Sequence, residues 1–452
     1  MQQQTGTQRT NAKILFVTMP ADGHFNPLTG LAKHLQSLGC DVRWYTQDLY
    51  KEKLAKLQIQ HYPCVYAPQL NQLNFEQFFT DRVKHKSQLA KFRFDLEHCF
   101  IRPVPAILKD IEDIHATFRF DLVVADIMSF CIPLIKAQFN VPVIAAGIIP
   151  LMETSANLPP AGMGLVPADT LPGKIKHKVL HAITNAMVFK KVNAIFREII
   201  AGYGVEAPAG NVFDILYRSA DVVLQSGTPG FEYNRNDMSA NIQFTGPLLP
   251  YSSGTKAAWF DERIAVYNKM ILVTQGTVEK DINKILIPTL EAFKNSDTLV
   301  IATTGGAHTA ALKRKYACQN IIIEDFIPFA DIMPFANAYV TNGGYGGTLL
   351  SVQHHLPLVV AGVHEGKNEI CARVGFFKLG INLKTETPSP VQIKNAVEKV
   401  INDTSYAQNV KRLANEFACY NANTIFEDTV KKLLQTNKTS YRKTYQQQAA
   451  TL

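Results

Sequence analysis

Nowhere in its 452 residues does the sequence carry an Asp-x-Asp pair or a Cys-x-x-Cys pair. The first absence removes an acidic clamp for a divalent cation, and we read no metal centre from the sequence. The second leaves seven scattered cysteines (Cys40, Cys64, Cys99, Cys131, Cys318, Cys371, Cys419) without a disulfide framework. They are expected to be buried thiols in a reducing compartment. No long Lys/Arg block stands behind the net charge of +8. That argues against nucleic acid as a partner, while a basic groove for an anionic small ligand fits the same number. The opening, MQQQTGTQRTNAK, lacks an apolar core and does not read as a signal peptide. The most apolar stretch, 132–152, is broken by Pro133, Lys136, Pro142 and Pro150 and predicts no membrane span. A soluble cytoplasmic protein is expected.

What is present is a globular composition, 46% apolar and 19% charged, over a length that suggests two domains. Short apolar runs alternate with helical patterns: KILFVTMP (13–20), then NPLTGLAKHLQSLG (26–39) with leucines at helical spacing, then DVRWYT (41–46). DLVVAD (121–126), VPVIAAG (141–147) and DVVLQSG (221–227) continue the series. The pattern restarts at KMILVTQGT (269–277), followed by TLVIATTGG (298–306), NIIIEDFIP (320–328), AYVTNGG (338–344) and PLVVAGV (357–363). This alternation predicts an α/β protein of two doubly wound, Rossmann-like parallel sheets facing across a cleft. We place the domains at 1–245 and 246–425, with a helix and polar tail at 426–452. The seam falls in the Pro/Gly/Ser-rich segment FTGPLLPYSSGTK (244–256).

Ligands of such sheets bind beyond the carboxyl ends of the strands, so the turns there matter most. In PADGHFNP (20–27), His24 sits where a strand gives way to a helix expected at Asn26–Leu28, and it could accept a proton. Asp126 ends a strand of the same half and could orient it; Asp22 is the competing partner, and a helix cap is the plain alternative for Asp126. In the second half, VTNGGYGGTLLSVQHHLP (340–357) opens a helix with bare glycine N–H groups, which suits an anion such as a phosphate. It is neither a Walker loop nor a dinucleotide fingerprint, and a tight structural turn remains the alternative. Phe326 at the end of EDFIP could stack on a base or belong to the core.

These residues, in this order, resemble a GT-B glycosyltransferase of the UDP-glycosyltransferase and macrolide glycosyltransferase superfamily, over nearly the whole chain. GHFNP (23–27) is similar to the family's G-H-x-N-P, VVAD (123–126) to its aspartate-bearing strand end, and residues 340–360 to its donor signature. The resemblance implies His24 as catalytic base and Asp126 as its orienting acid. It implies donor contacts at Gly276, Thr277, Phe326, Ile327, Asn342, Gly343, Gly344, Gly346, Gly347 and Thr348, and at Glu365, Gly366 and Lys367. The sequence departs from the signature where Asn342 replaces its histidine, Gly347 its threonine (Thr348 follows) and Leu350 the acid expected on a ribose. Gly366 and Lys367 replace the pair expected on the sugar, with Glu365 a candidate substitute.

The implied function is an inverting, metal-independent transfer of a hexose, UDP-glucose being the first choice of donor, to a small hydrophobic hydroxyl compound such as a phenol, flavonoid, steroid or macrolide. No cofactor beyond the nucleotide sugar as co-substrate is expected, and the chain is expected to be a monomer or weak dimer. A dTDP-deoxysugar donor, a GT-B epimerase and a non-catalytic partner protein are the alternatives.

Overall fold

The computed structural model describes residues 11–70, 78–252, 259–276, 279–364 and 366–449. Two parallel sheets organise them. The first has the order β3-β2-β1-β4-β5-β6-β7, with β1 Lys13–Val17, β2 Asp41–Tyr45, β3 Gln60–Tyr62, β4 Leu122–Asp126, β5 Val143–Gly147, β6 Val222–Gln225 and β7 Ile242–Phe244. The second has the order β10-β9-β8-β11-β12-β13, with β8 Lys269–Thr274, β9 Thr298–Thr303, β10 Ile321–Glu324, β11 Ala338–Thr341, β12 Leu358–Val360 and β13 Gly380–Asn382. The central strands are apolar end to end because helices cover both faces, which leaves no solvated side to alternate with; β4 and β9 are buried at every residue.

Both sheets reverse direction of winding beside their first strand. In the first, Val17 of β1 pairs in register with Ala125 of β4. In the second, Thr274 of β8 pairs with Thr341 of β11. The crevice outside the carboxyl ends at such a reversal is where the loops of two adjacent strands part and leave room for a ligand. Each half of the expected site lies there.

Three differences from the sequence reading have plain causes. The strands β3, β7 and β13 were not expected, because each is three residues long and sits at or next to a sheet edge. The first helix runs Asp22–Ser37, a full turn earlier than Asn26. Pro27 reads as a helix start but lies inside, where its missing N–H leaves the Gly23 carbonyl without that bond. The last helix, Ala422–Ala449, crosses back to the first domain, where Phe426 and Val430 join the core around Phe25, Leu28 and Trp44. The thiols are also less uniform than expected: Cys40, Cys131 and Cys371 are buried, whereas Cys419 is exposed.

The two domains meet through a buried ion network. Arg373, on the helix Lys367–Phe376, is 1% exposed. It donates to Glu232 Oε2 at 2.7 Å and to Glu369 Oε2 at 2.8 Å. The other oxygen of Glu232 accepts the Leu151 N–H at 3.0 Å, and the other oxygen of Glu369 accepts those of Gly162 and Gly164 at 2.9 and 2.7 Å. The Tyr233 ring lies 4.4 Å from the guanidinium. Burial works against the charged guanidinium, but the two carboxylates outweigh it and its pKa is raised. Every charged group is thus paired, the condition under which buried ions are tolerated.

Removing one member of such a set strands the others. Arg373→Ala should destabilise the fold by about 3–5 kcal/mol in denaturant unfolding. Lys431→Ala, which removes an exposed i,i+4 partner of Glu427, should leave the midpoint nearly unchanged. Equal effects of the two substitutions would show that the network is not what holds the domains.

Candidate active site

In the first domain the structure brings together the two residues expected to act as a pair. His24 lies in the first turn of the helix that follows β1, and Asp126 ends the adjacent strand β4. His24 Nδ1 is 2.8 Å from Asp126 Oδ2. The carboxylate is fully buried, while the imidazole is partly exposed. Asp126 Oδ1 accepts the Met128 N–H at 2.9 Å, so the carboxylate is held from both sides. An ionised carboxylate can only accept. The ring therefore donates its Nδ1 proton, and the lone pair of Nε2 is left as acceptor. Asp22, the competing partner, is engaged by Lys53 at 2.6 Å.

In the second domain four turns converge at the carboxyl ends of β8, β9, β10 and β11. The Asn342 side chain donates to the Gln275 carbonyl, which ties the β11 turn to the β8 turn beside Gly276. Gly305 N, after β9, donates to the Asp325 carbonyl, after β10, at 3.0 Å. The Phe326 ring packs over Gly306 and is 69% exposed. That exposure excludes Phe326 from the core. Gly344 caps the helix Tyr345–Gln353, whose first N–H groups have no carbonyl behind them within the helix. Gly346 is exposed, with open space where a Cβ would stand. Gly347 packs near the Tyr339 hydroxyl. Gly366, in the left-handed conformation, caps the helix that starts at Lys367.

Two residues expected among the donor contacts have buried side chains. The Ile327 side chain is buried in the second core beside Leu272 and Ile301, because the chain turns inward after Phe326; only its backbone can face a ligand. Thr348 is fully buried, and its hydroxyl oxygen has no hydrogen-bond partner among the described residues. Leu350, where an acid was expected, packs against the second core. Thr277 and Glu365 lie outside the described residues.

The sequence reading missed Tyr345, the residue that interrupts the glycines. Its hydroxyl donates to the Ser226 carbonyl of the first domain at 2.7 Å, and its ring stacks on Phe231 at 6.2 Å. Gly227 sits against that hydroxyl: an added Cβ would come within 3.0 Å of it. A tyrosine inside a glycine turn was the available signal, because a bulky ring in so tight a place needs a pocket of its own. A separate cavity of about 1020 Å³, lined by Lys33, His34, Tyr251, Gln353 and Tyr420 among others, lies at the far end of the first helix behind the linker, away from the His24–Asp126 pair.

Comparison with known proteins gives a consistent result. Residues 288–433 match the family described as "Erythromycin biosynthesis protein CIII-like, C-terminal domain". The chain is 30% identical over 416 residues to the 4'-demethylrebeccamycin synthase of Lentzea aerocolonigenes, covering 91% of this chain and 97% of the relative. It is 25% identical to UDP-glucosyltransferase 1 of Beauveria bassiana, covering 90% and 92%. Among solved structures, CalG4, the calicheamicin glycosyltransferase, superposes with a TM-score of 0.73 at 20% identity, covering 94% of this chain and 98% of that one. The two-sheet architecture is the GT-B fold.

The glycine turn separates two roles that substitutions can tell apart. Gly343 has φ +82°, and a Cβ there would meet Cys371 Sγ at 2.5 Å. Gly343→Ala should therefore lower the melting temperature, through strain and a clash. Gly346 has neither constraint, so Gly346→Val should fold normally yet weaken binding of a nucleoside diphosphate at least tenfold by calorimetry, roughly the 1.4 kcal/mol of a lost phosphate contact. Unchanged affinity in folded Gly346→Val would make the turn architectural only.

Proposed function

The chain belongs to the glycosyltransferases of the UDP-glycosyltransferase and macrolide glycosyltransferase superfamily, and we propose that it is an inverting, metal-independent hexosyltransferase acting on a hydroxyl of a small hydrophobic acceptor. The observation that carries this reading is the 2.8 Å bond between His24 and Asp126 at the switch point of the first sheet. On this reading the acceptor hydroxyl gives its proton to His24 Nε2. Its oxygen forms a bond to the anomeric carbon of the donor from the face opposite the diphosphate. The bond from that carbon to the diphosphate oxygen breaks, and the diphosphate leaves with the electron pair. Asp126 lies where positive charge develops on the ring.

The leaving group would meet the open N–H groups at Tyr345–Gly347, which supply preorganised donors without reorganisation. Asn342 uses one of its two amide N–H groups on the Gln275 carbonyl, which supports the turn and leaves the other able to donate to phosphate. Phe326 offers its exposed ring to the base. Glucose on UDP remains our choice of donor. A dTDP-sugar donor is the second reading, favoured by one observation: an apolar Leu350, packed against the second core, stands where a carboxylate would hold a ribose hydroxyl.

His24→Ala should lower kcat by roughly 10²–10⁴-fold on an alcohol acceptor while leaving nucleotide affinity and melting temperature near wild type. Asp126→Asn should do the same to a lesser degree. Near wild-type turnover in His24→Ala, or loss of donor binding equal to the loss of turnover in Asp126→Asn, would refute the pair as a base and its orienter.

Donor choice gives a second test. A carboxylate on the ribose would contribute roughly 1.5–3 kcal/mol, so without one kcat/KM for UDP-glucose and dTDP-glucose should differ by less than about tenfold. A larger preference for UDP-glucose would mean that a residue outside the signature reads the 2′-hydroxyl.

A further inference from the structure

The helix Leu171–Thr184, continued by the π-helical turn Asn185–Phe189, leaves a row of large apolar side chains exposed. A surface helix of a soluble domain turns its apolar side to the core. Here the inner side of the helix carries His177, which is buried, His181, whose Nε2 is 2.9 Å from the Leu158 carbonyl, and the half-buried Leu180, while Val188 and Phe189 of the following turn enter the core. The opposite side carries Leu171, Ile175, Val179, Ile183 and Met187, exposed from 46% (Ile183) to 71% (Leu171). Spaced by four residues, they form one continuous stripe along the helix. Five such residues in a row exceed the scattered apolar exposure that an ordinary surface shows.

Charge accompanies the stripe. Residues 171–191 contain five lysines and no carboxylate. Lys191 is paired with Glu97 at 2.8 Å. Lys174, Lys176 and Lys178 are exposed, flank the stripe, and have no carboxylate partner among the described residues. The neighbouring helix Gln88–Asp95 extends the same face: Arg93 Nη1 donates to the Met187 carbonyl at 3.2 Å, and Leu89 is exposed beside it. The acids of that neighbour are neutralised, Asp95 by Arg82 at 2.6 Å and Glu97 by Arg102 and Lys191.

An apolar stripe with unneutralised lysines on its flanks fits a surface that is apolar inside and anionic at its rim. We propose that this face of the first domain docks peripherally on an anionic lipid surface, with Ile175, Val179 and Ile183 entering the acyl boundary and Lys174, Lys176 and Lys178 meeting the headgroups. No helix among the described residues is long and apolar enough to cross a membrane, so the association is reversible and lies in the plane of the interface. A second copy of the chain would cover the stripe but would bring the same lysines together, which opposes that occupant. The proposal stands apart from the glycosyl-transfer reading.

The test is co-sedimentation of the full chain with phosphatidylcholine vesicles, with and without phosphatidylglycerol. Binding is expected to the anionic vesicles alone and to fall as salt is raised. Ile175→Ser/Val179→Ser/Ile183→Ser should weaken partition about tenfold or more, as should Lys174→Glu/Lys176→Glu/Lys178→Glu, each with an unchanged melting temperature. Should the serine variant fold poorly, the charge-reversal variant decides. Absence of sedimentation, equal binding to neutral vesicles, or indifference to charge reversal would overturn the proposal. So would a dimer in solution that the serine variant dissociates while vesicle binding is absent.

Discussion

A guanidinium 1% exposed between two domains sets the geometry of everything at their junction. Apolar contact is tolerant of small rotations, because it is nearly proportional to area and has no direction. A buried Arg373 is not tolerant. Each of its bonds to Glu232 and Glu369 has a length and an angle, and losing one leaves an unpaired charge out of water. The same helix begins at Gly366 and Lys367, and Glu369 holds the backbone of Gly162 and Gly164 from the first domain. The loop after β5 and the expected donor loop are therefore referenced to one side chain. Tyr345 adds a second pin at the other end of the junction, through Ser226. Between these two pins the candidate site can hold its parts in fixed relation.

Topology then does twice what the site needs. In each sheet the first strand is flanked by two neighbours whose connections leave to opposite sides. The turns at the carboxyl ends of β1 and β4 hold His24 and Asp126; those of β8 and β11 hold Gly276 and Asn342. His24 is hydrogen-bonded to Asp126, and Asn342 to the Gln275 carbonyl next to Gly276, each across the switch point. On the proposed function, the duplicated arrangement carries opposite chemistry: a proton acceptor on one side and N–H groups for an anion on the other.

Much of this was legible in the sequence, and the reasons the rest was not are physical. Long buried strands announce themselves by apolar runs, and strand ends were placed well enough to name His24 and Asp126. Their contact, across 102 residues, was not readable, because only the register of β1 on β4 fixes it. The edge strands β3, β7 and β13 lack such runs. Tyr345, Glu369 and Arg373 looked like ordinary surface or core residues, since each acquires its role from a partner in the other domain. The burial of Thr348 and Ile327 was not legible for a local reason: a helix turn or a strand end rotates successive side chains by large angles, so neighbouring positions differ sharply in exposure.

The departures from the family's donor signature have one thing in common. Asn342 bonds the neighbouring turn, and Leu350 packs against the core. Gly366 serves as the cap of the next helix. At each place a side chain that resemblance would aim at the ligand now serves the scaffold. Among the described residues, the backbone at Gly346 and Gly366 and the Phe326 ring are exposed there. Backbone groups recognise a diphosphate but are blind to which base and which hexose it carries, because those differ in hydroxyl and ring substituents that only placed side chains distinguish. On the proposed function, then, affinity for the nucleotide sugar comes chiefly from its diphosphate. Selection among donors falls to groups outside the signature, while the acceptor chemistry rests on the one hydrogen bond that has not changed.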